Sequence, residues 1–544
     1  MRRCAAVASA APLLGMLFAM HAAFATPGLP AGAELGEAIY LRGERGAGAA
    51  LRGEREGGAF VEGRNAACVS CHRRSGFGAM EGTSSIPPIT GQFLFQTRQN
   101  GVDNSDLPVV EGYRGVRAPY DATTLARAIR QGLAADGRSM AYLMPHYALS
   151  DDEMASVSEY LKFLTKKNVA GVSDSTLHFA TIVTPDADPL KKTAFLRVMQ
   201  QYFADKNAAA RAVTPRLRSS RQMRFRIVRR WQLHVWEVNG PPNSWQSQLS
   251  AKLAAEPVFA VLSGLGGRDW GPVHRFCQEQ QIPCLFPNVE LPVVADDDYY
   301  SLYFSKGVLL ESALIVSRLR SLEPPTRVVQ LFRADDIGAA AAAAVAQASF
   351  GAQAVKMLKL DAHAPQDELA RAIRNIQPDD ALVLWLRPAD IARLGQMPPP
   401  VAKAILLSGV MGGFEAAPLP SAWRARAELA YPVDLPDRRR VRIDFAEGWF
   451  RLRHIPVTSL PVQADTYLAC GLLSETLNRM SDSFVRDYLI ERVEGMLEHR
   501  IITGYYPHLA LAQRQRFASK GGYLVRFTAP SGGRVIADGP WLVP

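Results

Sequence analysis

A chain of 544 residues is too long for one ordinary hydrophobic core and should divide into two or three domains. Its 48% hydrophobic and 21% charged residues are globular proportions, which exclude a disordered or fibrous chain. The net charge of +10, carried largely by arginine, suits an acidic partner or an anionic surface; with no nucleic-acid-binding motif in the chain, it does not imply nucleic acid.

Met1-Arg2-Arg3 forms a short basic start, an apolar run follows from about Ala5 to Ala23, and Ala23-Phe24-Ala25 fits a small-x-small cleavage site before Thr26. Residues 1–25 therefore read as a signal peptide, and Cys4 is lost with it. No other stretch approaches the ~20 apolar residues that cross a bilayer. The expectation is a periplasmic protein with no membrane span after cleavage.

The first domain is expected over residues 33–167. Leu35 to Tyr40 opens a short amphipathic helix, and a Gly- and Arg-rich loop leads to Cys68-Val69-Ser70-Cys71-His72. Two thiols at C-x-x-C-H spacing can bond the two vinyl groups of one porphyrin, with the imidazole as an axial ligand of its iron. A zinc site would need a second Cys or His pair, and none follows at that spacing. A dithiol redox motif would not need the His. The reading is one covalent haem c on Cys68, Cys71 and His72.

Gly76, Gly78, Gly82, Pro87, Pro88 and Gly91 then exclude regular structure and suit a chain wrapping a flat cofactor. Leu125 to Ile129 reads as a helix ended by Gly132. Ser150 and Glu153 form a capping box, and the helix they start carries Met154, Val157, Tyr160, Leu161 and Leu164 on one face. Between these helices, Met144-Pro145 offers a thioether on a loop braced by proline. The rivals for a second axial position are Met140, with no proline after it; Met80, close behind His72; and His146, which would lower the potential.

These parts, with Ile86-Pro87-Pro88-Ile89, resemble the class I c-type cytochrome domain. The resemblance implies an all-α fold round one haem, with His72 and Met144 on the iron.

Thr165 to Asp174 is polar and without apolar period, which marks a domain boundary. Beyond it, arginines crowd the stretch Arg211 to Arg230, with Phe225, Ile227, Val228, Trp231, Val235 and Trp236 interleaved there and just after. The pattern reads as a loop entering a strand with a solvated face; the sharper reading is a docking patch for an acidic redox partner. Cys277 and Cys284 could form a short-loop disulfide if the geometry permits, and Cys470 reads as a small buried hydrophobe.

Across residues 177–544, apolar strands alternate with helical stretches. Strands are expected at Phe179–Val183, Val258–Leu262, Ile282–Phe286, Arg327–Phe332, Ala381–Leu386 and Ala404–Ser408. Helices are expected at Lys191–Phe203, Gly271–Gln281 and Ala339–Ala348. Such alternation gives a parallel sheet covered on both faces, and the blocks near 177–300 and 325–425 suggest two lobes. The region resembles the type I periplasmic binding proteins, of the branched-chain amino-acid kind. The matching points are the glycine loop after Leu262, the helix and strand into Ile282-Pro283, and Arg327 to Gly338. That resemblance implies a ligand between the lobes at the carboxyl ends of strands, with Ser263, Gly264 and Asp335 as cleft candidates. Leu265 stands where a family member would carry a small polar residue, against amino-acid binding.

The expected fold class is thus multidomain: an all-α cytochrome c domain, then a two-lobed α/β binding-protein-like domain. The leading functional reading is periplasmic electron transfer through one haem. The second domain would bind a small molecule or dock a redox partner such as a periplasmic dehydrogenase. The alternatives are a transport-type solute receptor whose haem reports redox state, and the cytochrome subunit of a dehydrogenase. Residues 177–544 show no acid–base constellation, so an enzyme ranks below these readings.

Overall fold

The computed structural model describes residues 28–82, 84–96, 118–164, 169–213, 229–295, 298–323, 327–348, 354–361, 366–480, 483–497, 499–500 and 502–544. Two compact units separate within them. One comprises 28–72, 89–96 and 118–164; the other comprises 73–88 and the chain from 169 onward. The expected signal peptide lies outside the described residues, as do residues 214–228 of the arginine-rich stretch. Among the described residues no helix is long and apolar enough to cross a membrane.

The first unit opens with a helical turn over Glu34–Glu37 that widens over Ala38–Arg42. Strands Arg52–Glu54 (β1) and Phe60–Glu62 (β2) follow, then the single turn Val69–His72. The next strands, Ala79–Glu81 (β3) and Ser84–Ile86 (β4), form a hairpin in the segment grouped with the second unit. The first unit resumes with helices Gly91–Phe95 and Ala122–Gln131, strand His146–Tyr147 (β5) and helix Asp151–Phe163.

Both long helices begin at capping boxes. Ser150 accepts from the Glu153 amide at 3.2 Å while Glu153 accepts from the Ser150 amide at 2.7 Å. Asp121 and Thr124 do the same for the other helix, which ends at Gly132 with φ +68°. Gly36 is the crossing point of the first and last helices: a Cβ there would lie 2.2 Å from the Ser156 carbonyl oxygen.

The all-α expectation needs correction, because β2, β1 and β5 form a small antiparallel sheet in that order. The cause is local. The glycine-rich stretch before the Cys pair cannot hold a helix. At Gly53 in β1, a Cβ would come within 2.7 Å of the Tyr147 ring and 2.9 Å of Pro145 Cβ, so the absent side chain lets β5 close in.

The second unit holds two sheets. The first has the order β7-β6-β8-β9-β10, all parallel: Arg230–Glu237 (β7), Thr176–Val183 (β6), Ala260–Leu262 (β8), Cys284–Leu285 (β9) and Ser301–Leu302 (β10). The second begins the same way: Val355–Leu360 (β12), Arg327–Arg333 (β11), Asp380–Trp385 (β13), Ala404–Ser408 (β14) and Ala427–Tyr431 (β15). Antiparallel Tyr523–Phe527 (β16) and Val535–Ala537 (β17) complete it. The repeated 2-1-3-4-5 order is the doubly wound pattern. Its central strands are buried on both faces, β13 along its whole length, which is why they read as unbroken apolar runs.

The chain crosses between lobes near 303–307, 432–435 and 520–522. Helix Val308–Arg320 packs in the second lobe, where Ser312 Oγ donates to the Ala341 carbonyl at 3.0 Å. Helix Leu460–Arg479 returns to the first lobe and packs on helix Pro189–Val213, with Cys470 Sγ 3.5 Å from Met199 Sδ. Helix Arg486–Leu497 also lies there, Arg486 donating to the Val258 carbonyl at 2.7 Å. The second unit is thus a two-lobed α/β arrangement, with lobes interleaved in sequence beyond the blocks 177–300 and 325–425.

The polar boundary after residue 164 is not a free linker where it is described. Val169 and Val172 pack on the core, and the backbone at Gly171 (φ +82°) lies against that of Val258 and Phe259. Segment 73–88 is seated on helix Arg486–Leu497. Arg73 pairs with Glu494, the Ser75 amide donates to Glu491 at 2.8 Å, and Phe77 meets Tyr488 at a ring separation of 4.7 Å. Cys277 and Cys284 are separate buried thiols, and Cys470 is fully buried as expected.

Candidate functional site

Two places concentrate chemistry. In the first unit, the turn Val69–His72 presents Cys71 and buried His72, with Cys68 at its entrance. Burial pushes the Cys68 thiol up to about 12, so it is a neutral S–H. The Met144-Pro145 loop is tied to β1 and to the chain just before that turn. Pro145 abuts Gly53, and the Tyr147 hydroxyl donates to the Ala66 carbonyl at 2.8 Å, two residues before Cys68. Burial raises the Tyr147 phenol, and the two thiols raise it further.

Met144 and Met140 are both half-buried in this unit. His146 is exposed, with its ring against Gly132: its Nε2 lies 2.2 Å from where a Cβ on Gly132 would be. Met80 is 48% exposed in β3, within the segment grouped with the second unit. Arg55 Nε is buried with no hydrogen-bond partner among the described residues, and the Arg55 charge acts on Tyr147. The unit thus brings together two thiols, an imidazole, a thioether on a braced loop and a guanidinium nitrogen without a partner among the described residues. That donor set fits a covalently held porphyrin with an anionic edge.

In the second unit, a cleft of about 280 Å³ opens between the lobes. Its walls are the carboxyl ends of strands: Leu265 and Gly266 beyond β8, Pro287 to Glu290 beyond β9, Val410 and Gly413 beyond β14, Pro432 and Val433 beyond β15. The crossing residues Phe304 and Ser305 contribute, as do Asp465 on helix Leu460–Arg479 and Tyr506.

Most of this lining is apolar. Its Lys191 donates to Glu290 at 2.9 Å, and Glu290 accepts from Arg387 of the other lobe at 2.6 Å. Arg387 also grips both carboxylate oxygens of Asp336, at 2.7 and 2.8 Å. Against the effect of burial, Arg387 and Lys191 hold the Glu290 carboxyl below the usual range. Asp465 has no such cation. Its Oδ2 accepts from the Tyr506 hydroxyl at 3.0 Å, while its buried Oδ1 has no partner among the described residues. Burial lifts this carboxyl to about 7, with the Tyr506 bond opposing.

The three cleft candidates read from sequence fall elsewhere. Ser263 is fully buried behind the wall, where its Oγ accepts from Asn288 at 3.1 Å and lies 3.4 Å from Thr466 Oγ1. Gly264 supports the same Asn288, whose amide donates to the Gly264 carbonyl at 2.7 Å. Both place a lining residue without touching the space. Asp335 is half-exposed and bridges the lobes outside the cleft, taking Arg268 at 2.7 Å on its carbonyl and 3.2 Å on its carboxylate. Leu265 does line the cleft. The residue that reasoning missed is Asp465, whose helix returns to the first lobe from far along the chain.

No family model matches this chain, and no curated protein matches it. Among solved structures it is similar to a fatty acid ABC transporter substrate-binding protein from Thermomonospora curvata, at 14% identity over 70% of this chain and 95% of that one, with a TM-score of 0.48. It is similar to a possible leucine/isoleucine/valine-binding protein from Rhodopirellula baltica SH 1, at 13% identity over 67% and 97%, TM-score 0.47. It is also similar to a branched-chain amino acid ABC transporter protein from Thermus thermophilus with bound valine, at 13% identity over 69% and 97%, TM-score 0.46.

Proposed function

We propose that the second unit is a receptor for a small organic solute taken into the interlobe cleft, in an exported protein whose first unit carries one covalent haem c. The observation that carries the solute reading is the cleft itself: apolar walls at strand carboxyl ends, with one unsatisfied carboxylate oxygen among them. The ion bridge from Glu290 to Arg387 and Asp336 joins the lobes beside that space, so closure can be set by two opposed surfaces. The test is a thermal-shift screen of small solutes on the full chain. A cleft ligand raises the melting temperature of the native protein and loses its effect in Leu265→Trp. If no solute raises it, or the variant responds equally, the receptor reading falls.

The haem reading rests on the C-x-x-C-H spacing and on the donor set gathered round it. Cys68 and Cys71 would hold the porphyrin, His72 and Met144 its iron, and Arg55 an acidic edge. A haem held there supplies one-electron redox chemistry, which makes electron transfer to an acidic partner protein the companion role. Around it, β1 and β5 fix the Met144-Pro145 loop, and the Tyr147–Ala66 hydrogen bond ties that loop to the Cys turn. Intact-mass measurement after export with cytochrome c maturation should show one added porphyrin. Met144→Ala should keep that mass, lower the reduction potential and admit carbon monoxide. An unchanged spectrum in that variant would hand the position to Met140 or His146.

A further inference from the structure

Four observations in the cleft converge on the chemistry of its occupant, on the reading that the cleft binds a solute. First, Asp465 Oδ1 is buried and has no hydrogen-bond partner among the described residues, although a carboxylate oxygen can accept two bonds. A buried acceptor without a donor is costly, and a ligand donor removes that cost. Second, Lys191, the cation among the described lining residues, already donates to Glu290, and Arg387 takes the other oxygen of the same carboxylate. An anionic group on a ligand would find no uncommitted side-chain cation among the described lining residues. Third, the surrounding wall is hydrocarbon, with Leu265, Val289, Phe304, Phe414, Val433 and Val462. Fourth, the space of about 280 Å³ suits a small molecule.

We propose that the cleft selects an aliphatic amine without a carboxylate, its ammonium paired with the Asp465 carboxylate and its carbon chain on the apolar wall. The charge balance favours the cation over a neutral donor. Glu290 is offset by Lys191 and Arg387, whereas among the described residues Asp465 faces the phenols of Tyr506, bonded to Oδ2, and Tyr505, with Lys191–Glu290 and Arg439–Glu415 already paired nearby. An ammonium supplies both the missing donor and the missing counter-charge.

The experiment is calorimetry on the full-length protein with four probes of one carbon skeleton: isopentylamine, isopentanol, isovalerate and leucine. The amine should bind at pH 8, and the other three should bind at least tenfold more weakly or not at all. Lowering the pH to 6 should weaken amine binding about tenfold, since a carboxyl that titrates near 7 is then mostly protonated. Asp465→Asn should abolish amine binding, with its native fold checked by an unchanged circular dichroism spectrum; Tyr506→Phe, which leaves Oδ1 in place, should retain it. Binding of leucine, isovalerate or isopentanol as tightly as the amine overturns the amine assignment and leaves the receptor reading standing. Amine binding that Asp465→Asn does not change also overturns it. Silence from all four probes overturns the assignment, while the broader solute screen still decides the receptor reading.

Discussion

At Asp465 one carboxylate oxygen accepts from Tyr506 and the other has no donor among the described residues, and the cost of that arrangement depends on pH. Burial raises the folded-state carboxyl to about 7, above the ordinary 3.8. The unfolded chain therefore loses this proton first as pH rises from about 4. The native state loses stability through the window from about 4 to about 7, and the penalty is complete above it. Asp465→Asn removes the charge and should raise ligand-free stability at pH 8 by roughly 1–3 kcal/mol. The gain should vanish below about pH 3, where both the folded and the unfolded wild-type chain are protonated at this carboxyl. Urea unfolding at the two pH values measures it; an equal gain at both would mean that charge is not the cause.

At the scale of elements, the first unit depends on one close approach. A Cβ on Gly36 would sit 2.2 Å from the Ser156 carbonyl oxygen and 2.8 Å from the Val157 amide, both backbone and unable to swing away. The Gly36 amide also donates to Ser156 Oγ at 2.7 Å. Gly36→Ala should therefore force the helices at Glu34–Glu37 and Asp151–Phe163 apart and cost about 1–3 kcal/mol, read as a lowered melting temperature. Ala at Gly46, where nothing lies within 4 Å, is the control.

What the sequence revealed at this scale followed from the range of the interaction. The Ser150–Glu153 capping box, the Gly132 stop and the buried parallel strands are set by neighbours a few residues away, and they stand where the spacing put them. The small β-sheet was hidden because strands this short carry too few alternations to read, and their pairing depends on Gly53 meeting a segment ninety-odd positions later. Ser263 and Gly264 stand at the strand end where the spacing puts them, but they buttress Asn288 instead of lining the cleft. Asp465 lay within an ordinary helical pattern, and only the return of that helix to the first lobe gives it a role.

For the second unit as a whole, the lobes are held by side chains rather than by hinge backbone alone. Arg387 of one lobe spans Glu290 of the other and Asp336 of its own, and Arg268 reaches Asp335 nearby. Arg387→Ala leaves Asp336 and Glu290 each short of a cation, so repulsion should favour an open form. Small-angle scattering should show a larger radius of gyration for the variant at low salt, and 0.5 M salt should narrow the difference by screening. No change in radius would mean that the crossings near 303–307, 432–435 and 520–522 fix the lobe angle by themselves.

The residue covalently next to His72 is held by a carboxylate more than four hundred positions away. Glu494 pairs with Arg73, and Ser75 is claimed by Glu491. A gene cut at the polar stretch after residue 164 would leave the longer fragment without its N-terminal strap. That fragment would keep Glu491 buried without its serine and lack the Phe77 ring at Tyr488. Dissection into halves is therefore expected to yield an aggregation-prone second unit, and any workable minimal version must begin upstream of Arg73.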